Sequence, residues 1–263
     1  GMTDTYTYMA DGVRELEYPV PNPEPIAKLL HGLRQDERLG ILHTDNGNPS
    51  IIAETLEPSE EITKTLVETL SDGAVLSFGL ESADPSVHEA NWLNCDPAQL
   101  KTAIRLVNKH GSVRGERGLP KLLPGLNFIA GLNGESEATY GMNMDLLRGI
   151  RSEGLLLRRI NIRQVEGEGF QEVPSEAFAR FKKDCRDQID KPLLEELFPL
   201  GQVIHDVHWE SHDGRTRLPV HETELHRASE VHGKAGITFG RQIGAYPILV
   251  GVEYKIPVSY THL

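Results

Sequence analysis

The chain is poor in cysteine. Its two thiols, Cys95 and Cys185, stand ninety positions apart among 263 residues, with no Cys-x-x-Cys pair, so neither a disulfide framework nor a thiolate metal site is readable. A reducing cytosol fits that usage best, and a cytoplasmic protein is expected. Long apolar runs are missing too: nowhere do about 18 apolar residues follow one another. The opening GMTD lacks the basic-then-apolar order of a secretion signal, so no membrane partner is expected, and Gly1 ahead of Met2 reads as a tag remnant. Basic residues are in deficit, 27 against 39 acidic, for a formal charge of −12. That charge repels phosphate backbones unless a local basic patch overrides it. The acidic excess, as in residues 57–68 and at Glu195 and Glu196, is read either as halophile-like adaptation to salt or as an ordinary acidic composition.

What is present is a chain long enough to bury a sizeable core. Residues 1–25 show little periodicity and end in PVPNPEP (19–25), whose prolines predict an extended connector. Beyond them strand and helix patterns alternate, the signature of a parallel sheet with crossover helices. Strands are predicted at 39–44, 74–80, 126–130 and 155–165, and helices at 59–70, from Asp96 to a stop at Gly111, and at 136–153. Asp96-Pro-Ala-Gln99 supplies an N-cap, a proline at the first helical position and a capping-box glutamine. Four such strands make half of an eight-stranded barrel, two-thirds of a six-stranded one, or a small open sheet. Helical patterns follow at 175–189 and 192–204, then short strands within 237–256 around Gly240, Gly244 and Gly251.

Strand side chains alternate between two faces. Leu76, Phe78 and Leu80 oppose Ser77, Gly79 and Glu81; Leu126, Phe128 and Ala130 oppose Asn127, Ile129 and Gly131; Ile160 and Ile162 oppose Arg159, Asn161 and Arg163. An ordinary barrel interior is filled by branched apolar residues. One-sided polarity instead predicts an apolar face against helices and a polar face lining a lumen for a polar ligand, or else a solvated sheet face.

These segments carry a family resemblance. SFGLESADP (77–85), with Asn91 to Asn94 soon after, resembles the nucleoside-contacting strand and loop of radical S-adenosylmethionine (radical SAM) enzymes. NFIAGLNGES (127–136) is similar to the adenine-binding strand and turn of that superfamily, with Asn133 where proline is usual and Asn127 where glycine or aspartate is common. RRINIRQV (158–165) resembles the next barrel strand, and HTDNGNP (43–49) sits at the preceding strand end. The likeness spans residues 20–170 and is closest to an archaeal group of uncharacterised radical SAM proteins, some with a C-terminal helix-hairpin-helix that is not read here.

The resemblance implies an α/β fold, an incomplete TIM-type barrel of parallel strands with a helical segment and a small C-terminal β module. The divisions are 1–38, an extended connector and helix remnant; 39–170, the partial barrel; 171–212, the helical segment; and 213–263, the β module. It also implies an Fe-S oxidoreductase or transferase that reductively cleaves S-adenosylmethionine to a 5′-deoxyadenosyl radical, with a [4Fe-4S] cluster held by three cysteines. Those ligands are absent from this chain, so it reads as an inactive fragment starting after the second barrel strand, with self-association through the cut edge expected.

The implied cofactor-binding residues are Glu81, Ser82, Asn127, Ile129, Gly131, Gly134 and Arg163. Glu81 and Ser82 would bond the ribose or amino-acid end, or cap a helix; Gly131 and Gly134 would admit adenine, or simply turn the chain. Arg163 would pair with a ligand carboxylate or with Glu81. Glu135 is expected to cap the helix at Ser136. No metal site is assigned, although His43 with Asp45, and His205 with His208 on one helix face near His212, leave a metal hydrolase as an alternative. TFGRQIGAYPILVG (238–251) is faintly similar to RNA-binding β-barrels of some tRNA-modifying relatives, with Arg241 and Tyr246 suited to base or phosphate contact. A nucleotide- or RNA-binding module is therefore a further alternative, and VSYTHL (258–263) reads as vector-derived.

Overall fold

The computed structural model describes residues 19–116, 118–197, 204–215, 217–219, 236–242, 245 and 249–252. The chain divides into two compact units, one ending at Pro199 and the other beginning at Leu200.

The first unit is α/β. Its described elements are α1 (Pro23–Arg34), β1 (Asn46–Gly47), α2 (Pro49–Glu54), α3 (Leu56–Thr69), β2 (Ala74–Glu81), α4 (Pro85–Asn91), α5 (Pro97–Gly111), β3 (Leu122–Ala130), α6 (Glu137–Ser152), β4 (Arg159–Gln164), α7 (Ser175–Cys185), a π-helical turn (Arg186–Asp190) and α8 (Lys191–Leu197). The four strands form one parallel sheet in the order β1-β2-β3-β4. An unbroken order with right-handed crossovers sends every connecting helix to the same face. The burial agrees: Leu76, Phe78 and Leu80 of β2 and Leu126 and Phe128 of β3 are buried together. On that face Phe128 meets Phe181 of α7 edge-on at 5.5 Å, and Tyr140 of α6 stacks on Phe181 at 5.7 Å.

The other face is graded. At its amino-terminal end Val75 and Leu123 are buried, and so is Ser77 next along; a β-carbon on Gly125 would touch both Val75 Cγ1 and Ser77 Oγ. Toward the carboxyl ends Gly79, Asn127, Ile129 and Asn161 are half-buried, and Arg163 is exposed. The polarity predicted for this face therefore belongs to its carboxyl-terminal half.

α5 starts as its sequence requires. Asp96 accepts from Ala98 and Gln99 N–H at 2.7 and 2.8 Å, and the Gln99 side chain accepts from Asp96 N–H at 3.2 Å. Several boundaries differ from the sequence reading. Residues 39–44 form no strand; Leu42 exchanges hydrogen bonds with Ser71 in the loop before β2, and the ladder begins at Asn46. The prolines at 23 and 25 open α1 behind the Asn22 N-cap rather than extending the chain, because proline fits a first helical turn whose N–H groups lack acceptors anyway. β3 begins at Leu122 and β4 at Arg159.

The second unit carries a small antiparallel sheet of β5 (Ile204–Ser211), β6 (Arg217–Pro219), β7 (Gly236–Gln242) and β8 (Leu249–Val252), in the order β6-β5-β7-β8. The helix expected over 192–204 is thus corrected: α8 ends at Leu197 and Ile204 opens a strand. Gly244 and residues 258–263 lie outside the described residues. Among the described residues no helix is long and apolar enough to cross a membrane.

Candidate functional site

The carboxyl ends of β1, β2 and β3 open into a cavity of about 340 Å³. Four asparagines line it, Asn46, Asn48, Asn94 and Asn127, together with Ser77, Gly79, Glu81 and Cys95. A second cavity of about 530 Å³ shares Asn48, Leu93 and Asn94 with it and reaches His88 and Gln99. Small-molecule sites commonly have this size and lie beyond the carboxyl ends of parallel strands.

Among the described residues that line the first cavity, Glu81 is the one carboxylate. It sits where β2 breaks register with β3, in a left-handed conformation at φ 68°, which a side chain of its size adopts only under tertiary constraint. Its carboxylate folds back over residue 79, where a β-carbon would stand 2.6 Å from Glu81 Oε1; glycine there makes the room. Burial raises the Glu81 pKa, and the Arg163 guanidinium across the sheet partly opposes that. Oε2 is buried and has no hydrogen-bond partner among the described residues, an arrangement that costs stability unless a ligand supplies the donor. Arg163 reaches Glu81 through space; no ion pair between them forms.

The other expected site residues divide into two groups. Asn127 faces the cavity and accepts from Asn161 Nδ2 at 2.8 Å, while Ile129 lies on the same face opposite Arg163. Ser82, Gly131 and Gly134 serve the scaffold. Buried Ser82 accepts from Asp84 N–H at 3.1 Å and its carbonyl meets His88 Nε2. Asp84 caps α4 and accepts from Thr139 of α6 at 2.5 Å, and Ala83 N–H donates to Asn143 of α6 at 2.7 Å. The loop leaving β2 is therefore pinned to the helix layer. Gly131, at φ 95°, is packed against the Val165 carbonyl, 2.5 Å from where a β-carbon would be, and Gly134 is packed against the Ser86 carbonyl. Both glycines admit protein backbone at these points.

Glu135 corrects an expectation. Its carboxylate accepts from Gly131 N–H within the turn after β3, and Ser136 caps α6 in a box with Thr139. The segment after β4 closes over this turn through Gln171, whose N–H reaches the Gly131 carbonyl at 2.9 Å and whose side-chain amide donates to the Glu135 carbonyl. Asn91 ties the rim from the other side, bonding Asn133 O at 2.7 Å and Asn133 N at 3.2 Å.

Both cysteines are buried, and burial pushes each thiol up to about 12. His205 and His208 lie on strand β5 with a register break between them, not on the helix face expected for them. His43 and Asp45 precede β1 in irregular chain. Among the described residues no group of three His, Cys, Asp or Glu side chains is placed to hold a metal ion. Tyr246 lies outside the described residues. Asn94 belongs to the Asn91–Asn94 stretch that the resemblance ties to the nucleoside-contacting loop; Asn46 and Asn48 carry no individual assignment from the sequence, although the run 43–49 marks their loop.

No family model matches the chain. Two archaeal proteins are similar over nearly all of it. An uncharacterised protein of Methanocaldococcus jannaschii is 35% identical over 260 residues, covering 95% of this chain and 44% of the relative. An uncharacterised protein of Archaeoglobus fulgidus is 37% identical over 269 residues, covering 97% of this chain and 46% of the relative. The chain thus spans less than half the length of these curated relatives.

Proposed function

We propose that the parallel sheet is the nucleoside-holding wall of a partial radical SAM barrel, and that the chain belongs to a longer iron-sulfur enzyme. The observation that carries this reading is the cavity at the carboxyl ends of three neighbouring strands of the four-stranded parallel sheet, with the buried, unpartnered Oε2 of Glu81 in it. That carboxylate offers an acceptor to hydroxyl or ammonium donors, and the amides of Asn46, Asn94 and Asn127 offer both donors and acceptors. S-adenosylmethionine carries ribose hydroxyls, an ammonium and a polar base, so its nucleoside end fits these residues. Arg163 supplies a cation on the same face for a ligand carboxylate.

The [4Fe-4S] cluster does not fit this chain. Three thiolates are needed; two cysteines are present, both buried, with thiols held protonated at neutral pH. Any cluster ligands belong to the part of the longer protein that this chain does not cover, in keeping with relatives more than twice its length. The sheet ends in a two-residue strand at β1 and, at β4, a strand with no fully buried residue, and we assign to these edges a tendency to pair with further strands or with a second copy.

The test is the reading frame upstream of Thr3. The proposal requires a Cys-x(2–5)-Cys-x-x-Cys motif within about 150 residues, and iron and sulfide in the longer protein purified without oxygen. Absence of that motif removes the reading.

A further inference from the structure

The two units differ in charge. The last 64 residues hold seven acidic and six basic side chains, so nearly all of the −12 resides in the first 199, and seven of the eleven histidines fall in that last stretch. Within it, the antiparallel sheet has two unlike faces. Trp209, Ser211 and Thr238 are buried on one. On the other, His208, Glu210, Arg217, Phe239, Arg241 and Leu249 line a groove of about 300 Å³.

The groove pairs an aromatic step with cations. His208 and Phe239 are register partners on β5 and β7, and their rings stack at 5.5 Å with 30° between planes. Arg217 and Arg241 are both exposed, and neither side chain forms an ion pair or hydrogen bond among the described residues. Leu249, 49% exposed, adds an apolar shoulder beside Arg241, its register partner. Glu210 stands opposite Arg217, 3.8 Å from His208 Nε2.

We propose that this face binds a single strand of nucleic acid, with a base laid on the His208–Phe239 step and neighbouring phosphates on Arg217 and Arg241. Flat rings accept any base by stacking, and guanidinium groups at their edge match the phosphates of an extended backbone. A duplex would not reach the rings, since its bases are already stacked. The site is independent of the cavity at Glu81 and stands or falls separately from it.

The test titrates the full chain into fluorescently labelled twelve-nucleotide oligouridine and oligothymidine, read by anisotropy across a salt series. A saturable complex with the RNA strand, the DNA strand or both is expected, because the groove's recognising groups read base and phosphate. R217Q/R241Q should flatten the dependence of log affinity on log salt by about 1.4, two phosphate contacts on a single strand. F239L should weaken binding about tenfold, and E210Q should strengthen it by removing a like charge from the phosphate path. E81Q should leave it unchanged. Circular dichroism confirms folding, and the exposed arginine pair keeps the test informative if F239L does not fold. The proposal is overturned if neither strand binds at about 0.15 M salt, if R217Q/R241Q binds with an unchanged salt slope, or if uridine monophosphate binds as tightly as the strand.

Discussion

Replacing Glu81 by glutamine keeps the shape of the side chain and removes its charge. In the folded chain that charge is half-buried, Oε2 has no donor, and the nearest cation, Arg163, acts only through space. A buried polar group without a partner costs about 1–3 kcal/mol, and the partial exposure and the arginine place Glu81 at the low end, so E81Q is expected to gain about 1 kcal/mol at neutral pH. The sign follows from burial, which raises the folded pKa: relative stability is present while the group is protonated and is lost as pH rises through the folded value. The advantage of E81Q should therefore fade toward about pH 4, where the wild-type carboxyl is also neutral. Half-buried Glu60, held at about 2 chiefly by Lys109 and also by His110, has the opposite trend, so the comparison is made between variants at each pH. Urea unfolding followed by far-ultraviolet circular dichroism is the assay, since all described helices lie in the first unit. A less stable E81Q at neutral pH, or an advantage that does not change with pH, would refute the picture of Glu81 as a carboxylate awaiting a donor.

Gly131→Ala should cost about 3 kcal/mol, from a strained φ and a forced retreat of the Val165 carbonyl. Gly154→Ala, at φ 71° with open space around it, should cost about 1 kcal/mol; equal costs in urea unfolding would show that the contact at Val165 is unimportant. With thiols near 12, Cys95 and Cys185 should resist iodoacetamide at neutral pH until the chain is unfolded, and rapid alkylation of the folded protein contradicts their burial. Light scattering should show mass rising with concentration if the exposed sheet edges pair; a clean monomer over a wide range removes that proposal.

The parts of the fold that were legible are those decided by neighbours in sequence. Alternation along β2 and β3 separated Phe78 and Phe128 from Gly79 and Asn127, and Asp96-Pro-Ala-Gln99 marked the start of α5. What failed was decided at a distance. Residues 39–44 have strand-like composition, yet Leu42 is taken by Ser71 and the ladder is left to Asn46 and Gly47. Over 204–211 a local reading favours a helix, because the partner strand β7 lies some thirty residues on. Glu135 illustrates the same limit within the site. A carboxylate before a helix has two sets of free N–H groups within reach, and only the fold of the turn decides for Gly131. Glu81 was legible as a carboxylate at a strand end, but not the register break and left-handed backbone that aim it over Gly79.

The most direct test of the nucleoside-holding wall is a calorimetric titration of S-adenosylmethionine into this chain, with S-adenosylhomocysteine alongside and E81Q as the variant. One-site binding of both ligands, weakened about tenfold in E81Q for loss of a charge-assisted hydrogen bond, is the predicted result. Absence of binding at millimolar ligand, or binding that E81Q leaves untouched, would contradict it.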